Sequence, residues 1–279
     1  MNNKNDNDYI TKPFVKWAGG KRQILNKIVP LLPESYNTYI EPFVGGGALL
    51  FNLQPNKAII NDINKELITS FEVIKDNYLS LFKKLNNYQK KHSEDFYYQT
   101  RKYKPRISLN IAARFMYLNK SCFNGLYRVN STGGFNVPFN KSKTVNIYEQ
   151  SNIKNINTYL NNNDVKIFNE DFEVILDKSN ENDFIFCDPP YDTDTKQFTS
   201  YNKKSFGKPE QLLLANKLKE LDARNVKWML TNHDTDYIKE LYSQFEIEVI
   251  QVNRSINPNG SKRKNGSNEV IITNYRKVL

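Results

Sequence analysis

The chain has 279 residues, 39% of them hydrophobic, with two cysteines, two histidines and a formal net charge of +10. That length fits one large domain or a domain carrying an insertion, and so few cysteines and histidines exclude both a disulfide framework and a Cys/His metal site. No apolar run approaches the roughly 20 residues that cross a bilayer, and the polar start Met1 to Asp8 lacks the apolar stretch of a secretory signal, so it reads as the tail of a cytoplasmic protein.

After the tail, Phe14-Val15-Lys16-Trp17-Ala18-Gly19-Gly20-Lys21 sets Trp17 and Lys21 four residues apart around a Gly-Gly turn. Apolar residues at Ile24, Leu25, Ile28 and Leu31 then predict a helix over Lys21 to Leu31. A β-type run at Thr38-Tyr39-Ile40 is followed by Glu41-Pro42-Phe43-Val44-Gly45-Gly46-Gly47 and an apolar helix start at Ala48. Three successive glycines strip the turn of side chains, so a ligand can lie against the backbone. Ala58-Ile59-Ile60 is the next strand, and Asp62 ends it, where in α/β nucleotide-binding sheets an acid takes two ribose hydroxyls. The glycines lack the G-x-G-x-x-G spacing of a dinucleotide site, and Glu41 ahead of them repels phosphate and tolerates a cation. S-adenosylmethionine, with a sulfonium, an ammonium and ribose hydroxyls but no phosphate, fits better than NAD. Lys21 is suited to its carboxylate, with Trp17 packed nearby; a buried tryptophan and an exposed lysine at a helix start have the same spacing.

Beyond the second strand the strand–helix alternation stops. Residues 65–120 read as successive helices, with apolar positions at Leu67, Ile68, Phe71 and Ile74, then Leu79, Leu81, Phe82 and Leu85, then Ile111, Ala112, Phe115 and Leu118. Asn119 to Asn140 is rich in Gly, Asn and aromatics, with Ser131-Thr132-Gly133-Gly134 as a β-turn signal. Residues 65–159 hold 16 Lys/Arg against 6 Asp/Glu, whereas 1–64 hold 7 against 5 and 160–279 hold 17 against 19. Such segregation suits a polyanion, which binds by releasing condensed counterions, although a solvated basic face carries charge in the same way. The reading divides the chain into one domain made of residues 9–64 and 160–279 and an inserted domain of residues 65–159.

Alternation resumes with Val165 to Phe168 and Phe184-Ile185-Phe186-Cys187, and Cys187 reads as a buried strand residue. The second run leads into Asp188-Pro189-Pro190-Tyr191, which puts a carboxylate, two main-chain carbonyls and an aromatic face on one stiff turn. That set suits an exocyclic amine on a flat heterocycle: the carboxylate and a carbonyl accept the two amine hydrogens while the ring stacks on the base. A strand ending in a plain proline turn has the same residues. Helices follow over Glu210 to Leu221 and Asp236 to Tyr242, with strands at Val226 to Leu230, Phe245 to Val252 and Val270 to Thr273; the last two read as an antiparallel pair around a loop over Pro258 to Ser267. The whole pattern is α/β, an open and mostly parallel sheet.

Lys16-Trp17-Ala18-Gly19-Gly20-Lys21, Glu41 to Gly47, Asn61-Asp62-Ile63-Asn64, Asn124-Gly125-Leu126-Tyr127-Arg128, Phe135-Asn136-Val137-Pro138-Phe139, Asp188 to Tyr191, Phe198-Thr199-Ser200-Tyr201 and Thr231-Asn232-His233-Asp234 closely resemble, in that order, the motifs of the Dam-type (alpha-group, D12 class) N6-adenine DNA methyltransferases. The resemblance spans Phe14 to Tyr275. It implies a Rossmann-like S-adenosylmethionine-dependent methyltransferase fold, a mixed sheet with an inserted helical and β-hairpin DNA-recognition domain. In it the first and fourth strands are neighbours, which brings Glu41 to Gly47 and Asp188 to Tyr191 to one crevice.

Carried over to this chain, the resemblance implies that Trp17, Lys21, Asp62 and Asp188 contact S-adenosylmethionine, with Glu41, Phe43, Gly45 and Ile63 beside it and Asp171 bonding its adenine; an acid opening a helix is also simply an N-cap. Asp188, Pro189 and Tyr191 would act on an adenine flipped out of duplex DNA, with Phe198 and Tyr201 closing the pocket or filling core. Recognition of GATC would fall to the hairpin, where Phe123 and Asn124 insert between the strands and Leu126, Arg128, Asn136 and Pro138 lie near the bases, joined by Lys16. Arg254 and Lys262-Arg263-Lys264 would meet phosphates or solvent. After Phe139 the chain reads Asn140-Lys141-Ser142 where many relatives have Gly-Arg-Tyr, so the contacts of that arginine and tyrosine are not carried over. A cytosine-N4 or RNA-adenine amino-methyltransferase would use the same catalytic turn, and a non-catalytic DNA-binding relative would keep the fold. The insertion favours duplex DNA over the former, and intact Trp17, Lys21, Asp62 and Asp188 favour catalysis over the latter. A separate cognate restriction endonuclease, a phage role and action alone in a host genome all stay open.

Overall fold

The computed structural model describes residues 11–192, 206–252 and 267–275. Within them seven strands form one mixed sheet: β1 (Tyr39–Glu41), β2 (Lys57–Asn61), β3 (Asp164–Phe168), β4 (Phe184–Cys187), β5 (Lys227–His233), β6 (Glu246–Val252) and β7 (Ser267–Thr273). Their order is β3-β2-β1-β4-β5-β7-β6. The first five are parallel, and β7 is antiparallel to both β5 and β6. Every expected strand is present. β5 runs three residues beyond the expected Leu230 because β7 pairs with it there, Thr231 opposite Ile271, Asn232 opposite Val270 and His233 opposite Glu269.

The pleat divides the apolar residues between two faces. Phe184 and Phe186 of β4 join Tyr39, Ala58 and Ile60 on one side, while Ile185 and Cys187 join Ile40, Trp228 and Leu230 on the other. A central parallel strand buried on both faces reads as an unbroken apolar run, which is why Phe184 to Cys187 shows no polar alternation. One face is covered by α7 (Phe172–Leu176), α8 (Lys208–Asp222) and α9 (Asp236–Leu241), through Ile175, Leu214, Leu218 and Ile238. On the other lie α1 (Leu25–Ile28), α2 (Ala48–Leu53) and the helices inserted between β2 and β3. The helix expected over Lys21 to Leu31 is a single α-turn, α1, flanked by 3-10 turns, the second of which contains Pro30.

The inserted helices are α3 (Lys65–Lys90), α4 (Glu94–Lys102), α5 (Ser108–Ser121) and α6 (Gln150–Asn162). Asn64 caps α3, its Oδ1 accepting from the Leu67 N–H at 3.0 Å. The two apolar segments expected as separate helices join in α3 across a break at Asn77 (φ −148°). Carbonyls released just before the break are taken up by α6: Asn157 Nδ2 donates to Ile74 and Lys75, and Asn161 Nδ2 to Lys75. Phe71, Ile74, Phe115, Met116 and Ile156 of these helices belong to the same apolar cluster as Tyr39 and Phe184 of the sheet.

Between α5 and α6 the chain forms the expected hairpin, as two antiparallel bridges, Cys122 with Phe139 and Val129 with Phe135. Its turn is held by Asn130 Oδ1, which accepts from the N–H groups of Thr132 and Gly134. Phe198, Tyr201, Arg254, Lys262-Arg263-Lys264 and the segment Met1 to Asp8 lie outside the described residues. Among those described, no helix is long and apolar enough to cross a membrane, and no group of three or more His, Cys, Asp or Glu is placed to hold a metal ion.

Candidate active site and recognition hairpin

β1 and β4 lie side by side, Tyr39 opposite Phe184 and Ile40 opposite Ile185, so the loops leaving their carboxyl ends open onto one crevice at the point where strand order reverses. In the first loop Gly45 has φ +48° and lies against Trp17: a Cβ there would sit 2.6 Å from the Trp17 Cδ1. Glycine is therefore needed at Gly45 for both backbone conformation and clearance. The Gly45 N–H donates to Asp62 Oδ2 at 3.0 Å, and the Asn64 N–H to Asp62 Oδ1 at 2.8 Å. Burial pushes the Asp62 carboxyl up to about 6 against the pull of those two bonds.

Asn61 ties the neighbouring strand ends together, donating to the carbonyls of Pro42 and Glu170 and accepting from the Glu170 N–H. This brings Asp171 to the same edge, where it caps α7 by accepting from the Glu173 N–H at 3.2 Å. Phe43 packs against Phe172 and Phe206 with ring centroids 5.4 and 5.7 Å away, and Ile63 stays half exposed beside Asp62. Glu41 is turned inward, 3% exposed, and accepts the Tyr39 hydroxyl at 2.8 Å. Burial raises its carboxyl well above the usual range, and repulsion from Asp188 and Asp62 adds to the rise.

Asp188 follows β4 directly. Its Oδ1 receives the Thr231 hydroxyl at 2.7 Å and the Lys21 ammonium at 2.7 Å, and its Oδ2 has no hydrogen bond among the described residues. Lys21 also donates to the Gly19 carbonyl and lies 4.6 Å above the Tyr191 ring. This contact with the Asp188–Tyr191 turn was not expected for Lys21, which the sequence pointed toward a cofactor carboxylate. Burial raises the Asp188 carboxyl, while Lys21 and Thr231 pull it down. Pro189 is buried, and Tyr191 donates its hydroxyl to Glu269 at 2.9 Å with the His233 ring edge-on at 4.8 Å. Cys187 is fully buried and its thiol is pushed upward by that burial, so it stays an inert strand residue.

The hairpin begins beside the Trp17 loop. Asn119 holds the Lys16 backbone at both ends, accepting from its N–H and donating to its carbonyl at 2.8 Å each, and it also donates to Gly125. Tyr127 stacks on Trp17 at 5.8 Å and gives its hydroxyl to Glu66, which is paired with the buried Arg114. Along the hairpin Phe123, Asn124, Arg128 and Pro138 are exposed and Leu126 and Asn136 partly so. Arg128 Nε donates to Asn136 Oδ1 at 2.8 Å. The residues singled out in the sequence thus fall into two groups, one around the crevice and one on the hairpin, joined by the Trp17–Tyr127 contact.

Three residues that touch these groups were given no role in the sequence: Thr231, Glu269 and Tyr127. The signal for Thr231 is a polar residue directly after the apolar run Trp228 to Leu230, as Asp188 directly follows Phe184 to Cys187. Glu269 is a lone acid opening the apolar run of β7. Tyr127 had no distinguishing signal of its own.

Asp62 and Asp188, against the single Lys21 ammonium, give the crevice a charge suited to a cationic ligand and unsuited to phosphate. A family model described as D12 class N6 adenine-specific DNA methyltransferase matches residues 17–256. The type II methyltransferase M1.LlaDCHI of Lactococcus lactis subsp. cremoris is 41% identical over 99% of both chains. The type II methyltransferase M.MjaIII of Methanocaldococcus jannaschii is 40% identical over 95% of this chain and 99% of its own, and the DNA adenine methylase of Escherichia coli K12 is 32% identical over 91% and 92%. With its crevice, its hairpin and these relatives together, the chain belongs to the D12 class of N6-adenine-specific DNA methyltransferases.

Proposed function

We propose that the enzyme transfers a methyl group from S-adenosylmethionine to N6 of an adenine flipped out of duplex DNA, within GATC. The observation that carries the reading is the Asp188 carboxylate, anchored through Oδ1 by Thr231 and Lys21 with Oδ2 left to accept. An adenine amine is a poor nucleophile because its lone pair is delocalised into the ring. Asp188 Oδ2 and the Pro189 carbonyl would take its two hydrogens, bias the nitrogen toward a pyramidal state and stabilise the charge developing there. Burial raises the Asp188 carboxyl, and Lys21 and Thr231 oppose that rise by favouring its ionised form. Tyr191 would stack on the base, held by its bond to Glu269. The proton can leave after transfer, so Asp188 need not be a strong base, and Cys187 forms no covalent intermediate.

S-adenosylmethionine supplies an electrophilic methyl group on sulfur when bound. Asp62 would hold its ribose hydroxyls, Trp17, Phe43 and Ile63 would flank it, and Gly45 would let it approach the backbone. Lys21, Glu41, Asp171 and Asp188 would complete the polar surroundings. In this reading residues 65–159 recognise the target and residues 9–64 with 160–279 catalyse. Phe123 and Asn124 would enter the duplex and Leu126 and Pro138 would meet base edges. Arg128, oriented through Nε by Asn136, would present its two terminal nitrogens to a guanine O6/N7 edge, with Lys16 adding a contact. Relatives named type II methyltransferases support a role beside a separately acting restriction endonuclease.

The test is transfer of labelled methyl to duplex DNA, followed by digestion to nucleosides and mapping of the modified site. N6-methyladenine in GATC is expected. N4-methylcytosine, or methyl in RNA in place of DNA, would overturn the reaction; N6-methyladenine in another sequence would overturn GATC alone.

A further inference from the structure

The motif Thr231-Asn232-His233-Asp234 has so far lent Thr231 and His233 to the site. Behind the catalytic turn two carboxamides, each 0% exposed, are bonded to each other: Asn232 Nδ2 donates to Gln211 Oε1 at 3.1 Å. Gln211 Nε2 in turn donates to the Pro190 carbonyl at 2.8 Å, and Asn232 Oδ1 accepts the Asp192 N–H at 2.9 Å. Asp192 is held further by Thr235, whose hydroxyl donates to its carboxylate at 2.8 Å. The pair thus grips the peptide on both sides of Tyr191, from α8 and from β5.

Backbone stereochemistry says what that grip controls. The rings of Pro189 and Pro190 fix both φ angles, and Asp188 and Pro189, each preceding a proline, are restricted in ψ. Rotation about the Pro190 Cα–C bond is the torsion these constraints leave loose, and it sets the course of the chain to Tyr191. The Gln211 bond is made to the carbonyl that this rotation turns.

We propose that Gln211 and Asn232 are positioning residues for methyl transfer, a buried pair that locks the exit of the Asp188–Tyr191 turn so that the Tyr191 ring stays aimed at the target base. The inference rests on the catalytic reading of Asp188 given above. Two substitutions separate it from a merely structural role. Gln211→Met removes both bonds of the carboxamide at nearly constant volume. Asn232→Asp keeps the acceptor for the Asp192 N–H but replaces the donor to Gln211 Oε1 with an oxygen, which turns the Gln211 amide away from the Pro190 carbonyl.

Single-turnover methyl transfer to cognate duplex, at saturating S-adenosylmethionine and at a temperature where each variant is folded, is expected to fall by about 10- to 100-fold in both variants. Cofactor and DNA dissociation constants should stay within about threefold, and the double variant should be no slower than the slower single one, because both changes break one unit. Wild-type transfer rates, losses confined to binding, or multiplying effects in the double variant would overturn the proposal. Asp188→Ala measured alongside tells the two readings apart. If it retains turnover, the catalytic reading fails and this one with it; if it is inactive while both pair variants transfer at the wild-type rate, only the positioning pair is refuted.

Discussion

Lowering the pH through 6 should release the cofactor while stabilising the fold at the very residue responsible. Burial raises the Asp62 carboxyl from 3.8 to about 6. Its two oxygens already accept the Gly45 and Asn64 N–H groups, and an ionised carboxylate has about four acceptor positions, which leaves room for two ribose hydroxyls only while it stays ionised. The apparent dissociation constant of S-adenosylmethionine should therefore rise about tenfold per pH unit below about 6. Stability runs the other way. The native carboxyl binds its proton more readily than the unfolded one, so the difference of 2.2 units amounts to about 3 kcal/mol against the fold above pH 6, and this penalty fades as the pH falls from 6 to 3.8. Calorimetric titration between pH 7 and 5 measures the binding arm, with Asp62→Asn as the control, since Glu41 and Asp188 are also raised by burial. Asp62→Asn should bind more weakly at pH 7 and lose the extra dependence below 6. Identical pH profiles for the two proteins would refute the assignment of Asp62 to the ribose.

Asp188→Ala should abolish methyl transfer with DNA binding largely retained, as measured by a labelled-methyl assay beside a binding titration; near-wild-type turnover would sink its role. Arg128→Ala should cost about 1–3 kcal/mol of discrimination at one base pair, read as the ratio of kcat/KM on the cognate site and on sites substituted one base at a time; unchanged ratios would remove the arginine from base recognition. Gly45→Ala combines a left-handed backbone, costing about 1–2 kcal/mol once a Cβ is present, with a 2.6 Å collision against Trp17. It should lower the unfolding midpoint more than Gly46→Ala, whose Cβ would meet Pro13 at 3.2 Å, and equal midpoints would refute that. Tyr191→Phe deprives the buried Glu269 of its 2.9 Å donor and should destabilise the enzyme by about 1–3 kcal/mol in denaturant unfolding; an unchanged midpoint would show the bond to be idle.

How much of this was legible in the sequence depends on whether a feature is local or lateral. β4 was legible to the residue because burial on both faces leaves an unbroken apolar run. The glycine turn and Asp62 were legible as strand-end features because each follows directly on a short apolar run of the sheet. The kink in α3 was not, since the asparagines that satisfy its carbonyls lie on α6, a helix far along the chain. The partners of Asp188 escaped for a related reason. Cys187 pairs with Leu230, so Asp188 and Thr231 are the next residues out on neighbouring parallel strands, and that juxtaposition exists only once strand order and register are known. Glu269 reaches Tyr191 only because β7 returns antiparallel beside β5 and sets it opposite His233. Motif residues therefore marked the rim of the crevice, whereas the groups that bond to them came from across the sheet. Had the order β3-β2-β1-β4-β5-β7-β6 been assumed beforehand, one rule would have recovered Thr231 together with Asp62 and Asp188: look for a polar residue at the carboxyl end of an otherwise apolar parallel strand. The same rule fails for Glu269, which opens an antiparallel strand, and for Gln211, which comes from a helix. Such residues become legible only through the buried polar atom each of them satisfies.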